Sequence, residues 1–208
     1  MKKLITTILA LVFAASLLAQ DIALPAPIRT GGKPLMDCLN QRKTSRDFNE
    51  DKTVDNKTLS NLLWAAWGYN RDDKRTAPSS SNKQEMDIYV ALKTGLYLWD
   101  AKNNVLKFIF ADDIRKQTGK QVFVGKAPVE IIFVADKSKM STSKNEESMM
   151  ETAYADAGFI SQNIYLFCAS EGLGTVVRGY LDREGLGKLM NLNKTQFVVF
   201  AQTVGYTE

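Results

Sequence analysis

Between Glu151 and Gly172 the apolar side chains Ala153, Ala157, Ile160, Ile164, Phe167 and Cys168 fall three or four positions apart. That spacing matches the turn of a helix with one buried stripe, so the longest helix is expected here, at the centre of its domain. Ala153, Ala157 and Gly158 are small enough to let another element approach closely, and Gly172-Leu173-Gly174 ends the run. A second helix is predicted over Asp55 to Trp67, capped by Asp55 or Thr58 and apolar at Leu59, Leu62, Leu63, Ala66 and Trp67 before Gly68 stops it. Shorter helices are expected from Pro34, with Leu35, Met36, Cys38 and Leu39 as the apolar face, over Asp112 to Gly119, and from Asp182-Arg183-Glu184 to about Met190.

Strand patterns fill the remaining apolar stretches. Asp87 to Lys93 alternates with Ile88, Val90 and Leu92 on one face, and Gly95 to Asp100 and Val105 to Ile109 flank Asn103-Asn104 as a hairpin. Val129 to Ala135, after Pro128, is continuously apolar and predicts a buried central strand. Thr175 to Val177 is extended, Arg178-Gly179 turns, and Gln196 to Val204 is a last strand, whereas the charged, serine-rich stretch from Asp136 to Glu147 reads as a mobile surface loop. There is no regular βαβ alternation and no internal repeat. The class is therefore α+β, a mixed or mostly antiparallel sheet flanked by helices, in one domain over residues 21–208.

The N-terminus stands apart from that pattern. Met1-Lys2-Lys3 is a short basic start, Leu4 to Leu18 is nearly all apolar, and Ala19-Gln20-Asp21 restores polarity. This is the layout of a signal peptide over residues 1–20, and the run is shorter than the about 20 apolar residues that span a bilayer. An exported protein, in the periplasm or cell envelope, is the expectation. Loss of Lys2 and Lys3 lowers the formal charge from +4 to +2, which gives little electrostatic reason to expect nucleic acid as a partner. Cys38 and Cys168 lie in helical runs and are expected as two buried free thiols. With no histidine in the chain, Ser-His-Asp and Cys-His catalysis and most zinc sites are excluded. Any redox or group-transfer chemistry then falls to a bound cofactor.

Two polar stretches are candidates for holding one. Arg75 to Gln84 combines a proline, three serines, Asn82, Lys83 and Gln84 with no apolar period, a loop dense in donors and acceptors. Arg42-Lys43-Thr44-Ser45-Arg46 places three cations and two hydroxyls in five residues, able to meet a phosphate and a polar ring edge together. By themselves both stretches are equally readable as solvated turns. Trp64 and Trp67 either flank a flavin or nicotinamide ring or pack in the core, the commoner use of tryptophan on an apolar helix face.

Three segments, Arg42 to Phe48, Pro78 to Gln84 and Gly172 to Gly179, resemble in order and spacing the nitroreductase-like FMN-binding family, over essentially all of the chain after residue 20. Gly95 to Asp100 is also similar to the branch of that family containing dehydrogenases of azoline rings in peptides. The resemblance implies the nitroreductase-like fold and an intertwined homodimer with two FMN sites at the interface. Arg42 and Thr44 would contact phosphate and ribityl chain, Lys43 would act mainly through its backbone, and Arg46 would face the flavin N1 and O2 edge. Pro78, Ser79, Ser80, Asn82 and Gln84 would come from the same or the second subunit. Val177, Arg178 and Gly179 would present backbone to the ring, with an amide N–H near N5, and no side chain need act as acid or base.

The implied activity is a flavin cycle between a donor such as NAD(P)H and an acceptor such as a nitroaromatic or quinone. The alternatives are an exported flavin-binding protein without NAD(P)H activity, or a flavin-dependent dehydrogenase of a peptide or small molecule. Two features depart from the family pattern. The chain stops at Gly205-Tyr206-Thr207-Glu208 without a basic pair after the last strand, so either FMN affinity is lower or another cation such as Arg75 or Lys83 substitutes. Arg178 stands where a small, apolar or acidic residue is usual, and either narrows the substrate face, favouring an anionic substrate, or points away.

Overall fold

The computed structural model describes residues 20–140 and 145–208, so the proposed signal peptide lies, up to Ala19, outside the described residues. In chain order the elements are strand β1 (Ile22–Ala23), helices α1 (Leu35–Gln41) and α2 (Asn56–Trp67), a small hairpin of β2 (Tyr69–Arg71) and β3 (Lys74–Arg75), and strands β4 (Met86–Leu92), β5 (Gly95–Asp100), β6 (Val105–Phe110) and β7 (Val129–Asp136). Helix α3 (Glu146–Glu171), strand β8 (Gly174–Arg178), helix α4 (Arg183–Leu189) and strand β9 (Gln196–Gly205) follow.

All eight residues of β7 are buried. It lies between β4 and β9 in a seven-stranded sheet of order β1-β6-β5-β4-β7-β9-β8. A strand paired on both edges and covered on both faces meets no water, which is why its sequence does not alternate. Every pairing in this sheet is antiparallel. One face is covered by α2 and α3, whose Leu62, Leu63, Ala157, Ile160 and Ile164 pack with Ile88, Val90, Ile131 and Phe133. On the other face Ile114, Leu181, Leu186 and Met190 pack with Tyr89, Ala91, Ile132 and Val198. That second layer corrects the one-sided reading of β4, since Tyr89 and Ala91 are buried as well as Ile88 and Val90.

The helix ends follow local chemistry. The Asp55 carboxylate caps α2 by accepting from the Lys57 and Thr58 N–H groups, each at 2.8 Å. Asn145 caps α3 by accepting from Ser148 N–H at 2.8 Å, and Gly172 closes the helix at φ 72°. The helix starts earlier than its apolar period indicates because its first turn is mostly exposed and carries no buried stripe.

Four local expectations change. Asp112 to Gly119 holds only a 3-10 turn at Arg115–Thr118. Within Asp136 to Glu147, Lys137–Lys139 is a 3-10 turn capped by Asp136 and α3 has begun by Glu146, while residues 141–144 lie outside the described residues. Arg178 is the last residue of β8 rather than the start of a turn. In α1 only Cys38 is buried; Leu35, Met36 and Leu39 are 61%, 73% and 45% exposed, so the apolar face of this helix has little cover among the described residues. Cys38 and Cys168 are both free and buried, and burial pushes the Cys168 thiol pKa up.

Candidate functional site: a basic turn along an open strand edge

Gly174 opens β8, and a Cβ there would lie 2.4 Å from Thr207 Cγ2 and 3.0 Å from Ser45 Cβ. The missing side chain lets the chain after α1 run beside the strand. Ser45 N–H donates to Thr175 O at 3.0 Å, and buried Phe48 bridges to Thr207. Because β8 is the last strand of the sheet, every second backbone unit faces away from β9. On that open side Thr175 O takes Ser45, Val177 N–H donates to the Tyr165 hydroxyl at 3.1 Å, and the Gly179 N–H comes next at an exposed position.

Tyr165, buried on α3, ties the two segments together. Its hydroxyl also lies 3.2 Å from Thr44 Oγ1, and the Arg42 guanidinium sits 5.2 Å from its ring centre. Lys43 and Arg46 project into solvent. A cleft of about 390 Å³ opens here, lined among others by Lys33, Gln41, Lys43, Ser45, Tyr165 and Thr207. A larger one of about 560 Å³ lies between the first turns of α3, α4 and β9, lined by Tyr154, Phe197, Val198, Arg183 and Lys194 among others. Arg183 Nη2 reaches to 3.7 Å from where a Cβ on Gly179 would stand, so this second cleft adjoins the exposed Gly179.

The serine loop is built elsewhere. Ser81, Asn82 and Gln84 all have positive φ, at 51°, 54° and 50°, a conformation that costs non-glycine residues energy and must be held by surroundings. Gln84 N–H donates to Ser79 Oγ at 3.1 Å, and Gln84 Nε2 donates to Asp73 O at 2.6 Å and Asn82 Oδ1 at 3.1 Å. Ser80 N–H donates to Asp156 Oδ2 on α3 at 2.8 Å. Asp156 and Tyr165 are nine positions apart on that helix, about 13 Å at 1.5 Å per residue. No hydrogen bond or ion pair among the described residues joins the serine loop to the basic turn. One chain therefore assembles two of the three expected walls, and holds the third farther along α3.

The sequence profile of the Nitroreductase family matches residues 39–206, from the end of α1 through β9. The chain belongs to the nitroreductase family. A provisionally named nitroreductase of Methanocaldococcus jannaschii is 26% identical over 164 residues, 72% of this chain and 81% of that protein. The crystal structure of a provisionally named nitroreductase from Ralstonia eutropha JMP134 is 42% identical, with a TM-score of 0.85 over 91% of this chain and 90% of that one. The NADPH:FMN oxidoreductase of Vibrio harveyi, complexed with NAD+, shares the fold at a TM-score of 0.62 and 19% identity, over 84% of this chain and 69% of that one.

Within this nitroreductase fold the remaining candidate residues sort by surroundings. Arg178 does not face a substrate. Its side chain is buried in an ion pair with Glu130, donates to Thr203 Oγ1 at 3.1 Å, and reaches Thr118 O at 2.6 Å and Thr118 Oγ1 at 3.0 Å. Burial pushes the Glu130 carboxyl upward, and the guanidinium and the Thr203 hydroxyl oppose this. A Cβ on Gly119 would collide with Arg178 Nη1 at 1.9 Å, so a glycine is needed where the guanidinium passes. Of the two alternatives for Arg178, pointing away is the one found.

Arg75 is half-buried and engaged within the chain. It donates to Gln84 Oε1 at 2.8 Å and Trp67 O at 2.9 Å and stacks 3.9 Å from the Tyr69 ring centre. Lys83 remains exposed. Trp67 is buried in the core and donates to Met86 O at 3.0 Å, so it acts as a packing residue; Trp64 is half-buried and donates to Tyr69 O at 3.1 Å. Pro78 is exposed, and Ser79, Ser80, Asn82 and Gln84 are half-buried. Tyr165 and Asp156 escaped the sequence reading. Their only signal was a polar group in a helix stripe otherwise apolar, a place where burial demands a hydrogen-bond partner.

Proposed function

We propose that this chain is an FMN-dependent oxidoreductase that passes electrons from a donor such as NAD(P)H to an acceptor such as a nitroaromatic or quinone in a ping-pong cycle, as a homodimer. The observation that carries this reading is the basic turn laid along the open edge of β8, with an exposed Gly179 amide at its far end. The donor set fits FMN. Arg42 supplies positive charge for a phosphate and Arg46 for a flavin N1–O2 edge, Lys43 its backbone, Thr44 a hydroxyl for the ribityl chain, and Gly179 an amide toward N5. Val177 N–H is already taken by Tyr165, so Gly179 is the better amide of the pair. FMN when bound supplies two-electron, hydride-type redox chemistry, which fits a chain without histidine.

In this reading the serine loop, stationed away from its own basic turn, serves the site of the second subunit with Ser79, Ser80 and Asn82. The uncovered apolar face of α1 and exposed Phe159 on α3 supply a surface for that subunit. The apolar cleft beside Gly179 suits a flat aromatic acceptor.

Purified protein should be yellow, bleach with NADH or NADPH and recolour on adding a nitroaromatic. Protein that is colourless and takes up no added FMN overturns the reading. The Met1–Gln20 pattern favours export, where free pyridine nucleotide is scarce, so yellow protein that neither nucleotide bleaches would assign the chain to a flavin-binding or dehydrogenase role with another electron partner.

A further inference from the structure

Behind the serine loop lies a pair of acids that the reading above does not use. Glu85, between the loop and β4, is 0% exposed, and neither of its carboxyl oxygens has a hydrogen-bond partner of normal geometry among the described residues. The group its carboxyl meets is Asp156 of α3, itself 4% exposed and already accepting from Ser80 N–H at 2.8 Å. Among the described residues the other charged group facing Glu85 is Lys139, from the turn after β7, and its ammonium is paired with Asp87 at 2.6 Å. Two carboxylates facing each other away from water, with no unpaired cation beside them among the described residues, repel each other and are short of donors; one proton relieves both faults. The Glu85 backbone amide gives its carboxyl only partial relief, and Glu85 O is taken by Asp136 N–H at 3.0 Å.

We propose that Glu85 and Asp156 share one proton and together form the positioning pair of the Ser79–Gln84 loop. Glu85 in its acid form donates to Asp156, which then accepts from both sides, from Glu85 below and from Ser80 N–H above. This anchors the loop and offsets the cost of its three residues at positive φ. When the proton leaves, one of the two anions must turn toward water. If Asp156 turns, its bond from Ser80 N–H is lost directly; if Glu85 turns, the chain between Gln84 and β4 must open. Either movement releases the loop.

The sense of the pH dependence follows from the same surroundings. Burial is the main cause that raises the Glu85 pKa from 4.5 to about 7, with the Asp156 contact adding to it and Lys139 and the Glu85 backbone amide opposing. A carboxyl with a raised folded-state pKa contributes stability that is fully present below its unfolded value and is lost as pH rises through the folded one. The loop is therefore held in mild acid and loosens on passing neutrality.

The part of this inference that concerns flavin rests on the proposed FMN site; the shared proton does not. The test uses the full chain in two ways. In flavin-free protein, infrared spectroscopy should show a protonated carboxyl at about pH 6 that is gone by about pH 9, and the melting temperature should fall across the same interval. Glu85→Gln, which keeps a permanent neutral donor to Asp156, should lack that band and flatten the melting profile. Asp156→Asn, which offers Glu85 an amide donor, should move the break to lower pH. With FMN added, the dissociation constant should rise about tenfold or more over that interval in wild type and less than about twofold in Glu85→Gln.

No protonated carboxyl at about pH 6 overturns the proposal even if neither variant folds. A Glu85→Gln profile as steep as wild type overturns it as well. The infrared band with no FMN uptake at any pH would uphold the pair and sink the flavin reading instead.

Discussion

Three cations within five residues end in different surroundings. Arg42 lies over the Tyr165 ring, half-buried, while Lys43 and Arg46 stand in solvent. Arg42→Ala is expected chiefly to weaken FMN binding, because it removes a charge held in place beside the cleft. Arg46→Ala should lower the flavin reduction potential and slow reduction more than it weakens binding, since its charge is assigned to the N1–O2 edge. Titration of FMN into each variant, with a potentiometric measurement, separates the two, and equal, negligible effects would return the turn to solvent. Arg178 behaves oppositely. Arg178→Met leaves Glu130 buried without its partner and should cost about 3–5 kcal/mol in urea unfolding, and adding Glu130→Gln should recover part of that loss. Neighbours decide all of these roles, and a residue's own identity does not reveal whether its charge is spent on the protein or offered to a ligand.

At the scale of elements, one glycine decides where the site forms. The Arg42 to Phe48 segment can lie on β8 only because Gly174 has no side chain to meet Ser45 and Thr207. Gly174→Ala should displace the C-terminal residues or the turn, costing about 1–3 kcal/mol by overpacking and weakening FMN binding with it; urea unfolding and flavin titration check both. The contrast is Gly158 on α3, where a Cβ would meet nothing within 4 Å. The elements themselves were largely legible in the sequence: α2, α3, α4, the hairpin of β5 and β6, β7 and β9 follow from period, caps and turn residues. What misled was local polarity. Asp112 to Gly119 has helix formers but only one tight turn, and β4 alternates in sequence while both its faces are buried, because the second layer comes from residues far along the chain.

For the whole molecule the uncovered face of α1 is the main clue to assembly. Leu35 and Met36 are mostly exposed in the single chain, which costs solvation free energy unless something covers them. Replacing both by serine should shift the protein from dimer toward monomer in sedimentation and lower FMN retention in parallel, because the serine loop is assigned to the second subunit's site. Dimerisation unaffected by the double replacement would remove α1 from the interface.

The sequence by itself determined the class of fold, the free and buried state of both cysteines, and two of the three stretches that come together, the basic turn and the crossover after α3. These depend on local patterns of burial, charge and backbone freedom that a reader can take from neighbours along the chain. Only the tertiary structure decided that Arg178 serves the protein interior and Arg75 the Gln84 side chain and the Tyr69 ring, that Tyr165 joins the basic turn to β8, and that the serine loop stands over the Glu85 and Asp156 acids instead of over its own basic turn. Those facts rest mostly on contacts between residues tens of positions apart. In such contacts burial and the need to satisfy every polar group set the outcome, and composition and period carry no record of which partner will be there.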